Sequence, residues 1–333
     1  MIERAGDCLL SIVIETANTP PGDYRELDEC LKAFAAQTIA REKFELIVVA
    51  DPHLHPTLEE HLAVVAPHVR LLEAEGLHYY AQKNFGARAA RAGVIAFMDS
   101  DCIPAATWAE TILEVFARGD HHLGAVQGTV WSERTPLGFA FVITNFGLLQ
   151  ARFERRTTML TGNNCAFRRE DILSAPFEEA STFHGSEVQK AAEIQRLGRH
   201  ILLAPGAGNH HHFLPGFRLF LAHGVYWGYC FLKVRRGGAD VPYGKLFKRI
   251  GPLAPLALVP AKAALDVWRM GARRADLGMG LIETIGCAAA LVVNSLAVGA
   301  GAARAFLSLP PPTTPTSSNA HMAVVGGRGA GLP

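Results

Sequence analysis

The sequence lacks a C-x-x-C pair, any zinc-ligand spacing and any surplus of one charge, and each of these gaps removes a class of function. Its six cysteines, Cys8, Cys30, Cys102, Cys165, Cys230 and Cys287, are scattered over 333 residues. That pattern reads as reduced thiols, not as a disulfide framework or a metal ribbon. With 32 Lys+Arg against 31 Asp+Glu the net charge is +1, so no global field draws the chain to nucleic acid. The start of the chain has no basic-then-apolar leader, because Glu3 and Asp7 precede the first apolar run. A cytoplasmic location is the corresponding expectation. Charge also vanishes between Thr284 and Ala303, a stretch long enough to span a bilayer but diluted by Asn294, Ser295 and many small residues. A buried helix or one lying in a membrane interface fits it equally well.

What is present is a 49% hydrophobic chain, enough for a full core. "CLLSIVIET" is a short β-branched run, "ANTPPGDY" breaks it, and "ELDECLKAFAAQ" follows with Leu27, Cys30, Leu31 and Phe34 at helical spacing. The strand signal returns in "KFELIVVAD", more weakly in "HVRLLEA", and again in "VIAFMD" after the helical "QKNFGARAARAG". Strands alternating with helices predict an α/β fold with a mainly parallel central sheet. In such sheets ligands sit beyond the carboxyl ends of the strands, and three strands here end in Glu15 with Thr16, in Asp51, and in Asp99 with Asp101. "AVQGTVW" and "TGNNCAFRRE" read as strand-edge segments, and "ILLAPGAGNHHHF" as a strand running into three histidines. In a strand, residues i and i+2 share a face, so the two carboxylates of "FMDSD" converge on one cationic object. The alternative is that they cap the next helix.

In this order the motifs "SIVIETAN", "ELIVVAD", "AQKNFGARAARAG", "FMDSD", "TGNNCAFRRE" and "HGSEVQKAAEIQRLGRHI" resemble the family 2 glycosyltransferases of GT-A fold. The resemblance implies a Rossmann-like catalytic domain over residues 1–235, followed by an apolar helical extension at 236–308 and a disordered tail at 309–333. It implies a metal-dependent, inverting transferase that moves one sugar from a nucleotide-diphosphate sugar, a UDP-sugar foremost, to a hydroxyl acceptor such as a lipid-linked or envelope glycan. The processive Gln-x-x-Arg-Trp signature is absent, which favours single transfers. The cofactor would be Mn²⁺ or Mg²⁺. Asp101 is then the direct metal ligand, and His211 the third-ligand candidate, with His210 and His212 as alternatives. Glu15, Thr16, Asp51, Lys83 and Asp99 line the nucleotide sugar, Asn163 and Asn164 face the acceptor side, and Glu187 stands at the position of the catalytic base, with Ser186 where the family commonly has Glu. Glu15 in place of the usual proline leaves the base identity open. A catalytically inactive nucleotide-sugar-binding protein of the same fold is the competing expectation. A membrane surface is expected as a further partner through the apolar extension, on its cytoplasmic face.

Overall fold

The computed structural model describes residues 8–119, 121–179, 185–212, 216–237 and 243–312. Residue contacts divide the chain into two compact units. One comprises Met1–Trp131, Phe153–Glu179 and Glu193–His212, the other Ser132–Arg152, Ala180–Ala192 and Phe213–Pro333. Elements are numbered in chain order: β1 Leu10–Glu15, α1 Arg25–Ala35, β2 Phe44–Ala50, α2 Leu58–Val65, β3 Arg70–Glu73, α3 Tyr79–Ala89, β4 Val94–Asp99, β5 Cys102–Pro104, α4 Trp108–Arg118, β6 Leu123–Trp131, α5 Pro136–Phe146, β7 Arg155–Thr157, β8 Asn164–Arg168, α6 Arg169–Ser174, α7 Ser186–Arg196, β9 His200–His211, α8 Phe217–Gly237, α9 Gly244–Ile250, α10 Ala254–Leu277 and α11 Leu281–Phe306.

The first unit carries the sheet, ordered β3-β2-β1-β4-β8-β6-β9-β5, with β7 also on β9. The β3-β2-β1-β4 half is parallel, as strand-helix alternation predicts. Beyond β4 the pairing is mixed: β8 runs antiparallel to β4 and β6, while β6 and β9 are parallel. The two segments expected at strand edges are therefore interior, which explains why Val126, Cys165 and Ala166 are buried. β1 is buried at every position because helices cover both faces of a parallel sheet. On one side α1 lays Leu27, Cys30, Leu31 and Phe34 into the same core as Leu10, Ile12 and Ile14. On the other, α3 approaches so closely at Gly86 that a Cβ there would collide with Val13 Cγ1. A glycine is required for that contact.

β9 is long, and it is interrupted. Between the pairs Gly128↔Ala204 and Val130↔Asn209 its register against β6 shifts, β9 advancing five residues while β6 advances two. Pro205, Gly206 and Gly208 fall in this bulge, where a proline without an amide proton costs no ladder bond.

The second unit is helical. The boundary expected at residue 235 falls in the last turn of α8, and this unit also takes in α5 from the middle of the chain. The helical run Gly244–Leu277 and α11 are both long and apolar enough to cross a membrane. α11 packs tightly on α8: a Cβ at Gly228 would collide with the carbonyl of Val298, and one at Gly301 with that of Val225. The tail expected at 309–333 lies outside the described residues from 313 onward.

Candidate active site

The carboxyl ends of β1, β2 and β4 lie side by side, with Glu15 in register with Asp99 on one side and Val49 on the other. Asp99 is almost fully buried. It accepts hydrogen bonds from the Tyr79 hydroxyl, at 2.9 Å to Oδ1 and 3.0 Å to Oδ2, and from Lys83 Nζ at 2.7 Å. Lys83 is itself completely buried and sits 4.4 Å from the Tyr79 ring centroid. Burial opposes the lysine charge, but the Asp99 and Glu15 carboxylates outweigh it and raise its pKa. Tyr79 and Lys83 are one helical turn apart on α3, so the two donors present one face to Asp99. Gly162 leaves room for the tyrosine, since a Cβ there would meet its hydroxyl at 2.9 Å. Neither Tyr79 nor Asn18, whose amide lies 3.5 Å from both Glu15 Oε1 and Asp99 Oδ2, is marked by a sequence motif. The i, i+4 spacing of Tyr79 and Lys83 is the signal that could have found the first.

Glu15 is fully buried and accepts from the Ala17 amide at 2.7 Å. Burial, reinforced by the neighbouring Asp99 charge, pushes its pKa well above the usual carboxyl range. Thr16 donates its hydroxyl to the Val49 carbonyl, and its amide binds Gln82 Oε1. Asp51, just past β2, accepts from the His53 and Gly76 amides, both at 2.8 Å. Each of its oxygens keeps a free lone pair.

Asp101 stands at the start of the short β5 region, where Cys102 pairs with His211 across the strands. His211 Nε2 lies 3.9 Å from Asp101 Oδ1. The His211 Nδ1–H donates to the His212 carbonyl at 3.0 Å, so Nε2 is the ring nitrogen that faces the carboxylate. His210 and His212 alternate to the other side: their rings meet edge to face at 5.4 Å, and His212 Nε2 bonds Glu29 at 2.8 Å. Asp101, Cys102 and His211 place ligand atoms within 4.8 Å of one another. A hard cation at about 2.1 Å from oxygen and nitrogen donors fits between Asp101 and His211 with a small closing movement, its other positions open to phosphate oxygens and water. The Cys102 thiol suits such an ion poorly, since burial pushes its pKa well up and keeps it protonated. The carboxylates do not cap the next helix: α4 starts after Thr107 without a side-chain cap.

Asn163 is buried with Oδ1 unpartnered, and its amide approaches Cys102 Sγ at 3.8 Å. Asn164 is fully buried. It accepts from Trp108 Nε1 at 2.8 Å and donates to the carbonyls of Thr129 and Ala207 at 3.1 and 3.0 Å. Asn164, expected on the acceptor side, thus braces three strands with its amide and exposes no atom.

Glu187 belongs to the second unit. It sits in the first turn of α7, where it accepts from the Gly185 amide at 3.1 Å. Gly185 takes φ +137°, a conformation that favours glycine. In the same unit Arg235 has its pKa pushed down to about 10 by burial, against the opposing pull of Tyr243 and Glu187.

The chain resembles known proteins at three levels. The family described as "Glycosyl transferase family 2" matches residues 11–173. Glycosyltransferase AglE of Haloferax volcanii is 28% identical over 104 residues, covering 30% of this chain and 33% of the relative, so the match spans about a third of that curated protein. Among solved structures, the mannosyltransferase PcManGT of Pyrobaculum calidifontis, determined in complex with GDP-Man and Mn²⁺, superposes with a TM-score of 0.56 at 18% identity, over 90% of this chain and 87% of that one. Strand order, the acidic strand ends and the matched residues agree: through residues 11–173 the chain is a member of the family 2 glycosyltransferases, with their GT-A fold.

Proposed function

We propose that this chain transfers a single sugar, with inversion, from a nucleotide-diphosphate sugar to a hydroxyl acceptor, using a divalent cation held by Asp101 and His211. His211 Nε2 facing Asp101 Oδ1 at 3.9 Å, next to Asp99 paired with Lys83, is the observation that carries this reading. Mn²⁺ suits a histidine-bearing site better than Mg²⁺, and the Pyrobaculum structure was determined with Mn²⁺. A cation bound there would stabilise the charge that develops on the departing diphosphate.

The residues of the chain then divide the work. Asp99, held by Lys83 and Tyr79, presents a fixed carboxylate to the ribose. Asp51 offers its free lone pairs to a base N–H, and Thr16 and Glu15 shape the floor beneath. Asn163 Oδ1, buried without a partner, is the polar atom available on the acceptor side. Glu187 takes the proton of the acceptor hydroxyl as that oxygen bonds to the anomeric carbon and the sugar–phosphate bond breaks, its electrons leaving with the diphosphate. UDP-sugars remain the first donors to test and GDP-mannose the second, given what the Pyrobaculum enzyme was solved with. Two long apolar helices favour an acceptor presented at the cytoplasmic face of a membrane.

A thermal-shift screen of nucleotide sugars with Mn²⁺ and Mg²⁺ tests this directly. A donor at about 100 times its Kd adds roughly 2.7 kcal/mol to the folded state. Glu187→Gln should keep that shift and lose turnover by about 100-fold or more. The proposal fails if no UDP-, GDP- or TDP-sugar raises the melting temperature with either metal.

A further inference from the structure

The second unit has an apolar interior that includes Leu232, Leu258 and Val298, yet two of its helices also turn an apolar face outward. Every exposed position from Leu253 to Ala272, through most of α10, and on α11 from Leu281 to Ala300, carries an apolar side chain or is glycine, the indole N–H of Trp268 being the one polar side-chain group among them. Leu256 is 72% exposed, Trp268 63%, Ile285 63% and Leu296 62%. Four polar side chains in the middle of these helices, Lys262, Asp266, Asn294 and Ser295, are buried. Asp266 is 1% exposed and accepts from Lys262, from the Thr144 hydroxyl at 3.2 Å and from Arg269 at 3.3 Å. Lys262 also lies 4.7 Å from the Trp227 ring centroid, and Asn294 and Ser295 are buried. A water-facing helix shows the reverse arrangement. Each strip is about 29 Å long at 1.5 Å per residue, and with axes about 9 Å apart the pair makes an apolar face on the order of 500 Å². A patch of that size is at the upper end of what monomers expose, where the largest patch is often functional.

The edge of this face identifies what covers it. On α9, just before Leu253, Lys245, Lys248 and Arg249 are exposed, and Arg274 is exposed just past Ala272. From Tyr243 to Ala275 the one acidic residue, Asp266, is buried. The acids nearest this rim, Asp276 and Glu283, are half-buried and engaged by Arg152, Arg273 and the Gly280 amide, so the exposed rim is basic. An apolar face with such a rim matches a leaflet of anionic phospholipid, with hydrocarbon under the leucines and headgroups against the cations. A second copy of the chain would set these like charges against each other. Each helix has one apolar exposed face. The opposite faces pack on α5 and α8 within the same unit, through Thr144 to Asp266 and Gly224 to Asn294, and α8 exposes Arg218, Lys233 and Arg236. We infer that α10 and α11 lie in the plane of one leaflet, immersing their outer face without crossing the bilayer. This rests on the membrane association proposed above and specifies its geometry and lipid.

Flotation of the full chain with vesicles of phosphatidylcholine, alone or with phosphatidylglycerol, tests the surface. The protein should float with the anionic vesicles, and Leu256→Glu with Leu296→Glu should reduce the floated fraction roughly tenfold or more. The substituted positions are exposed, so the melting temperature of that variant in detergent should match the parent and serves as the folding control. Cysteines placed at Lys248 and at Gly280, in the turn between α10 and α11, should both react with an impermeant maleimide outside sealed vesicles, above the native-cysteine background. Labelling at one of the two positions alone would mean that the helices span, and overturns the in-plane placement. Flotation unchanged by the two glutamates, or a lipid-free dimer that they dissociate, overturns the lipid surface. Absence of flotation with either vesicle removes the membrane association itself.

Discussion

Lys83→Met removes the cation from a nearly solvent-free carboxylate, and the size of the effect follows from the geometry. Lys83 Nζ is 2.7 Å from Asp99 with both side chains buried, and breaking such a pair from one side costs about 3–5 kcal/mol. The orphaned carboxyl has one escape, which is to take a proton. At pH 7, about three units above an ordinary Asp pKa, protonation costs roughly 4 kcal/mol at 1.36 kcal/mol per unit, and this caps the penalty. The cap falls by about 1.4 kcal/mol for each unit the pH is lowered, so the variant should lose about 4 kcal/mol at pH 7 and nearer 1.5 at pH 5. Urea denaturation at the two pH values measures this, and Asp99→Asn in the Lys83→Met background should recover most of the pH 7 loss. A Lys83→Met penalty below about 1 kcal/mol that does not change with pH, or a double variant no better than the single one, would refute the assignment of Lys83 as the cation that holds Asp99.

Glu15→Gln should stabilise the protein in a defined pH range. The folded carboxyl pKa is raised above its ordinary 4.5, so the native state keeps this proton longer than the unfolded chain does. Its contribution therefore declines as pH rises past about 4.5. The variant should melt with the parent at acidic pH and above it at neutral pH, as read by calorimetry. Asp101→Asn and His211→Ala should each abolish the Mn²⁺-dependent thermal shift given by a nucleotide sugar, whereas His210→Ala should leave it in place; titration calorimetry with Mn²⁺ and donor checks both. Gly86→Ala forces a methyl against Val13 and should cost about 1–3 kcal/mol by overpacking, measured as a shift in urea midpoint.

The parallel half of the fold is legible because its signals are local. "LSIVIE", "FELIVVA" and "VIAFMD" are short apolar runs, and Leu27, Cys30, Leu31 and Phe34 mark the buried face of α1 without reference to distant residues. The places of β6 and β8 are not local, since their direction and neighbours depend on which strands 30 to 80 residues away they meet, and a short apolar run reads alike at an edge or in the centre. The same division runs through the site. Asp99 and Asp101 stand out from their strand, but that Asp99 rests on Lys83 depends on how α3 packs across β1. Asn164 shows how a local reading misleads: the polar segment "TGNNC" suggests a strand edge, yet three strands close around the Asn164 amide. The inverted polarity of α10 is likewise hidden, because Lys262 and Asp266 resemble an ordinary surface ion pair until their burial is known.

The bulge in β9 decides more than the shape of one strand. Side chains alternate faces along a strand, so any odd change in the residues between Ala204 and Asn209 exchanges the side presented by His211 with the side presented by its two neighbours. The three residues that β9 gains over β6 there act as a parity setting. Removing one of them would turn His210 or His212 toward Asp101 without altering any histidine, and would present to the proposed cation site a ring whose hydrogen bonds were made for another place. Which histidine faces Asp101 is thus encoded by a length in "APGAGN" as much as by the histidines that follow it.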